Sequence, residues 1–243
     1  MKSLLPFFLI LISFSTCAQQ KVEYTSEFEF TNGIYLSFLD FKNNNPIPIT
    51  HIFSDFDIRS ADYLFQVLNT DSVIFYDNLL EERITSVSNV WGFCSNNKVH
   101  VGINTVEGSK DWQNRDWFPL MSVGAYSYFT AVIMVTRFMP PSPGSISTVG
   151  GVSMYDDGMF NDQGTYYQES VPIQMLLNFS NGNFIQLATG DINSVSPKLM
   201  AELLQPDAVL LREYLDMSGR NQKQNSMFYL RKFNERNPIY FPQ

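Results

Sequence analysis

Asp55 and Asp57, Glu81 and Glu82, and Asp156 and Asp157 are the carboxylate clusters of this 243-residue chain, and general acid–base work is the chemistry they suggest. Neighbours in an extended strand point to opposite faces, so Glu81 and Glu82 do not act as one unit if that segment is extended, whereas Asp55 and Asp57 share a face. A glycosidase needs two carboxylates a defined distance apart across a cleft, and local spacing does not supply that distance. Solvated turn residues are the plainer reading of all three clusters. Cys94 and His100 raise a metal site, but the hairpin register derived below puts them on opposite faces. His51, the other of the two histidines, is far away in sequence. No zinc-type ligand spacing results, and Cys94 is expected to be a buried, inert thiol. A Gly-x-Ser-x-Gly elbow, a phosphate loop and a dinucleotide fingerprint are all missing from the sequence. The run Asp156 to Asp162 lacks the alternating ligands and final glutamate of a calcium loop. Nothing calls for a cofactor or a metal.

Aromatic side chains are the remaining chemistry. Trp112 and Trp117 stand in the polar run Lys110-Asp111-Trp112-Gln113-Asn114-Arg115-Asp116-Trp117. Rings among amides and carboxylates are what a sugar or peptide site uses, although such rings more often pin a loop to the core. Trp91, Phe93 and His100 are expected to share one face of a hairpin. The candidate binding residues are therefore Trp112, Trp117, Trp91, Phe93 and His100.

The first residues lead to the expectation that the fold carrying these residues is built outside the cytoplasm. Lys2, an apolar run from Leu4 to Phe14, then Ser15, Thr16, Cys17 and Ala18 form the n-region, h-region and cleavage zone of an export signal. The apolar run is shorter than the roughly 20 residues that a spanning helix needs. Residues 1–18 are thus expected to be removed after Ala18. A competing reading makes Cys17 a lipidated N-terminus, with Thr16 where Gly, Ala or Ser is usual. Loss of Cys17 leaves Cys94 without an intrachain partner, so stability must come from burial rather than disulfides. The 21 Phe and 12 Tyr supply the apolar area. The net charge of −8 argues against binding nucleic acid or anionic lipid, both of which reward clustered Lys and Arg.

From Ile34 to Ile192 the texture is strand-like, and after Ser194 it is helical. Asn96-Asn97 is placed at a hairpin turn that pairs Cys94 with Val99 and Phe93 with His100, because Asn tolerates positive φ. Val90, Cys94, Val99, Val101 and Ile103 then line one face, and Trp91, Phe93 and His100 the other. A second hairpin, Ile173 to Phe179 with Phe184 to Ala188, turns on Asn181-Gly182. Phe179, Phe184, Leu177, Met175 and Ala188 share one of its faces, with Leu176, Leu187 and Ile185 on the other, so it is a covered, central pair. Tyr126 to Phe138 reads as a further buried strand. The Pro- and Gly-rich stretch from Pro140 to Gly164 reads as a long loop. Three helices follow: one from Ser196-Pro197 through Leu203-Leu204, one from Pro206 to about Met217 ending near Gly219, and one from about Gln222 to Glu235 closed by Pro238. The expected fold is α+β: an antiparallel meandering β-sheet, as a sandwich or partial barrel, followed by three C-terminal helices. Residues 19–192 form the β-rich region and residues 193–243 a helical region packed on the same domain.

Gly33-Ile34-Tyr35-Leu36, Asp40-Phe41-Lys42-Asn43-Asn44, Val90-Trp91-Gly92-Phe93-Cys94, Thr189-Gly190-Asp191 and Phe233-Asn234-Glu235-Arg236-Asn237-Pro238 resemble segments of uncharacterised secreted proteins of Bacteroidetes-type bacteria. The resemblance implies a place in the cell envelope and assigns no activity or catalytic residue. The sequence favours a non-enzymatic exported or envelope module that binds a glycan or peptide. A polysaccharide or peptide hydrolase whose site is assembled only in three dimensions is the alternative from another class, and a structural assembly protein is a third.

Overall fold

The computed structural model describes residues 20–77, 81–105, 113, 115–139, 165–190 and 195–242. The expected export signal (residues 1–18), Trp112, Asp156, Asp157 and the stretch from Pro140 to Gly164 lie outside the described residues. In chain order the elements begin with β1 (Lys21–Glu23), β2 (Gly33–Tyr35), α1 (Phe38–Lys42), β3 (Ile47–Pro48), β4 (Ile52–Phe53), α2 (Tyr63–Val67), β5 (Ser72–Tyr76) and β6 (Glu82–Ser86). They continue with β7 (Gly92–Ser95), β8 (Lys98–Asn104), β9 (Arg115–Pro119), β10 (Tyr126–Met139), β11 (Thr165–Asn178) and β12 (Phe184–Thr189). The helices α3 (Pro197–Leu204), α4 (Ala208–Leu215) and α5 (Gly219–Arg236) precede a last strand, β13 (Tyr240–Pro242). The α+β class holds, with antiparallel sheets and helices concentrated at the C-terminal end.

One sheet runs β3-β2-β7-β8-β9 and another β10-β11-β12; β4-β5-β6 form a small third, and β1 pairs with β13. Alternation along the strands gives each large sheet two apolar faces, and the molecule is layered as a result. Tyr35, Cys94, Val99 and Val101 of the five-stranded sheet meet Phe129, Ala131, Ile173, Met175 and Leu177 of the three-stranded one. Phe41 from α1 and Phe241 from β13 complete this inter-sheet core. Leu176 and Leu187, on the far face of the three-stranded sheet, pack against Met200, Leu204, Leu210, Tyr214 and Phe233 of α3–α5. On the outer face of the five-stranded sheet, Ile34 and Phe93 pack beneath α2 and the small sheet through Leu64, Val67, Val73 and Phe75. The arrangement is a sandwich clad on both sides rather than a closed barrel.

Local rules explain the joints. Asn96 and Asn97 have φ of 51° and 60°, which turns β7 tightly into β8, and Cys94 pairs with Val99 and Phe93 with His100 as the sequence predicts. Asn97 also clamps the neighbouring chain: its Oδ1 accepts from the Phe30 amide at 2.7 Å and its Nδ2 donates to the Phe28 carbonyl at 3.1 Å. Ser37 and Asp40 form a capping box that starts α1. Asn234 on α5 grips the start of β10, accepting from the Tyr126 amide and donating to the Tyr126 carbonyl, both at 2.9 Å. Asp207 accepts from the amides of Val209 and Leu210 and receives Arg236, joining the start of α4 to the end of α5. The Arg236 hydrogen bond, followed by the helix amides, holds the Asp207 carboxyl below the usual carboxylate range.

Several predicted details are corrected. Val90 packs with the outer core and Trp91 with the inter-sheet core, the reverse of the expected faces. The alternation stops at Gly92, because residues 87–89 form a 3₁₀ turn and the chain reaches the strand out of phase. Ala188 joins Leu187 on the helix-covered face, since a register shift at Gln174/Met175 breaks the alternation. The second hairpin turns through a four-residue loop rather than a tight pair, with Gly182 at φ 77° and the Asn178 amide bonded to the Asn183 carbonyl. β10 is buried only in its first half; Phe138 and Met139 are exposed. The short helices α1 and α2 interrupt the stretch read as strands. Gly219, read as a helix stop, is the first residue of α5 behind the Ser218 cap. Among the described residues, no helix is long and apolar enough to cross a membrane.

Candidate functional site

Arg115 and Trp117 are two residues apart on β9, so both side chains leave the same face of the strand. Register places them opposite Asn104 and Gly102 of β8, and that face carries Phe93 and His100 further along the sheet. Opposite stands α2. Its buried residues, Tyr63, Leu64, Val67 and Leu68, form one helical stripe, which turns Asp62, Phe65, Gln66 and Asn69 outward. Those four residues and Leu68 make one wall of an open cleft of about 750 Å³, and Gln113, Arg115, Asp116, Trp117 and Phe118 make the other. A volume of that order suits a small ligand or part of a chain.

The aromatic residues beneath the cleft form a continuous stack. The His100 ring lies on Phe93 with centroids 4.6 Å apart and planes 6° from parallel. Phe65 meets both edge-on, at 4.9 Å from Phe93 and 5.1 Å from His100. Trp117 stands at 75° to Phe93, 5.5 Å away. Burial pushes the His100 imidazole below its ordinary range, against a smaller opposing effect from the Lys98 carbonyl, which lies 3.1 Å from Nδ1. Phe93 and His100 are therefore the floor that positions Phe65 and Trp117.

Arg115 is the electrostatic feature of this wall. Its side chain lies over Gly102, where even a Cβ atom would come within 2.5 Å of the Arg115 Nε, so glycine is what makes room for the guanidinium. Nη1 donates to Asn104 Oδ1 at 3.1 Å and Nη2 to the Val90 carbonyl at 2.5 Å, while Nε is buried without an acceptor. The Cζ atom sits 5.3 Å from the centre of the Trp117 ring. Burial lowers the guanidinium pKa to about 10. Among the described residues Arg115 has no ion-pair partner, whereas Arg83, Arg137, Lys232 and Arg236 do.

Of the residues singled out in the sequence, Trp117 lines the cleft and Phe93 and His100 support it. Trp91 lies on the other side of the sheet, stacked on Phe41 at 4.9 Å and 19°, an anchor of the inter-sheet core. Asp55 and Asp57 are exposed; the Asp57 carboxylate accepts from the Arg59 amide in a turn. Cys94 is fully buried, and burial raises its thiol to about 12. Among the described residues, no three His, Cys, Asp or Glu side chains converge as metal ligands. Phe65, Gln66 and Arg115 escaped the sequence reading. Arg115 was within reach of it, because two-residue spacing from Trp117 on a strand puts both on one face. The α2 wall was not, since nothing local says where that helix docks.

A larger hollow of about 880 Å³ lies beside β1 and β13, lined by Glu23, Glu27, Glu29 and Asn43 to Asn45 among others. Its only ring, Phe28, is packed into the inter-sheet core, so the hollow offers carboxylates and turn amides but no platform. The α2–β9 cleft alone of the two combines rings, amides and a cation. No curated protein and no solved structure matches the chain. The model of a family of unknown function (DUF6563) matches residues 33–237, from the start of β2 to the residue that caps α5, and the chain belongs to that family.

Proposed function

We propose that this protein is an exported, non-enzymatic binding module that holds a glycan in the cleft between α2 and β9. The observation that carries this reading is the pairing of a half-buried Trp117 with the outward Phe65 across a cleft edged by Gln66, Asn69 and Asp116. Sugar rings present apolar faces to aromatic planes and hydroxyls to amides and carboxylates, so such a wall suits them. The rigid stack beneath, Phe93 on His100, keeps the platform in place and lowers the ordering cost of binding. Export is supported by the Lys2, Leu4–Phe14 and Ala18 pattern, and the acidic charge fits a soluble extracellular partner. Isothermal calorimetry with envelope oligosaccharides, on wild type and Trp117→Ala, tests the reading. A saturable heat lost in the variant is the expected result; equal binding by both proteins, or binding only to peptides, overturns it.

One observation favours the hydrolase reading as a second: Asp62 and Asp116 both line the cleft. Turnover of a bound oligosaccharide that disappears in Asp62→Asn or Asp116→Asn would replace the binding module by an enzyme.

A further inference from the structure

The cleft contains an unbalanced charge. A guanidinium has five N–H donors, and the protein satisfies two of those on Arg115, through Asn104 and the Val90 carbonyl. Nε is closed off against Gly102 with no acceptor, and each Nη keeps a second hydrogen. Among the described residues, the nearby acids do not neutralise it. Asp116 and Asp62 are exposed on the two walls of the cleft, and neither forms an ion pair with Arg115. A guanidinium drawn partly out of water is ordinarily given a partner, because desolvation disfavours its charge. The fold nevertheless keeps this one, and reserves Gly102 to house it.

Resting on the glycan reading above, we infer that the ligand of this cleft carries a carboxylate, as a hexuronate residue of an acidic oligosaccharide does, and that Arg115 is its partner. The sugar ring takes the Trp117 platform, whose centre is 5.3 Å from the Arg115 Cζ, so one uronate residue reaches both groups. A planar guanidinium meets a carboxylate with charge-assisted hydrogen bonds, stronger and more directional than those to a neutral hydroxyl. Lysine offers a point charge in place of that fork.

The test is calorimetry of the purified protein with trisaccharides of galacturonate, glucuronate and mannuronate, each beside its carboxyl-reduced, neutral counterpart. At least one acid should bind roughly tenfold tighter than its reduced form, with a gap that narrows as salt rises. Arg115→Gln should abolish the gap, Arg115→Lys should restore part of it, and Trp117→Ala should weaken acid and neutral sugar alike. If Arg115→Gln does not fold, the acid-against-reduced comparison and its salt dependence in wild type decide the matter alone. Equal, Trp117-dependent binding of acidic and reduced sugars overturns the carboxylate while leaving the glycan cleft standing. No binding by any sugar, or binding that Trp117→Ala leaves intact, overturns both.

Discussion

The inter-sheet core and the α2–β9 cleft lie on opposite faces of the same five-stranded sheet, and they spend their aromatic residues differently. In the core, Phe41 touches Phe30, Tyr35, Trp91, Phe179 and Phe241, rings on segments far apart in sequence. The polar atoms there are satisfied: the Tyr35 hydroxyl meets the Thr31 carbonyl and Asn44, and the Cys94 thiol the Phe30 carbonyl and Asn32. In the cleft the rings are half-exposed and a buried donor has no acceptor. The core is organised for stability, and the cleft keeps interactions open that a ligand could complete.

The contrast breaks most readily at Phe41. Phe41→Ala opens a cavity in a fully buried web and should lower the unfolding free energy by about 3–5 kcal/mol, measured by urea denaturation. Trp117→Ala, on a ring in part exposed, should cost about 1–2 kcal/mol by the same measurement, since less apolar area leaves water when it folds. A loss at Trp117 equal to that at Phe41 would make the cleft a second core. A smaller effect comes from His100. Its folded pKa lies below the unfolded value near 6.5, so the unfolded chain takes up a proton first as pH falls. Stability is complete above about pH 6.5 and declines below it toward the folded pKa, and a Tm profile between pH 7 and pH 5 that flattens in His100→Gln checks this. The smallest change is expected at Arg115→Met. Loss of two hydrogen bonds is offset by removal of a part-buried charge with an unpartnered Nε, so the Tm should stay within the equivalent of about 1 kcal/mol of wild type or exceed it. A large drop would mean that Arg115 is a structural strut.

The same contrast governs what the sequence discloses. The β7–β8 hairpin was legible to the residue because its signals are local: alternation on both strands and two asparagines where positive φ is needed. Alternation misled where the chain changed phase, at the 3₁₀ turn before Trp91 and at the extra residue of β12 between Gln186 and Ala188. Helix ends followed their caps, except that Ser218 was hidden beside a glycine that reads as a stop. The cleft was half legible. Trp117 and Arg115 share a strand face that spacing reveals, but Phe65 reaches them only because the far side of α2 docks on Phe93. Whether Arg115 is paired depends on carboxylates brought near by the whole fold, which no spacing encodes.

Phe241 gives the molecule a sense of time. It is fully buried at the centre of the inter-sheet rings, in contact with Tyr24, Phe28, Phe30, Phe41 and Phe179, yet it lies on β13, beyond all the other described elements in chain order. β13 also returns to β1, pairing Lys21 with Pro242, so the first strand has no partner until the last one arrives. A chain that forms its structure from the N-terminal side therefore carries an unsealed core until β13 is in place. Closure of the fold depends on β13 docking, and a variant without the Phe241 ring would leave this aromatic interior open to water.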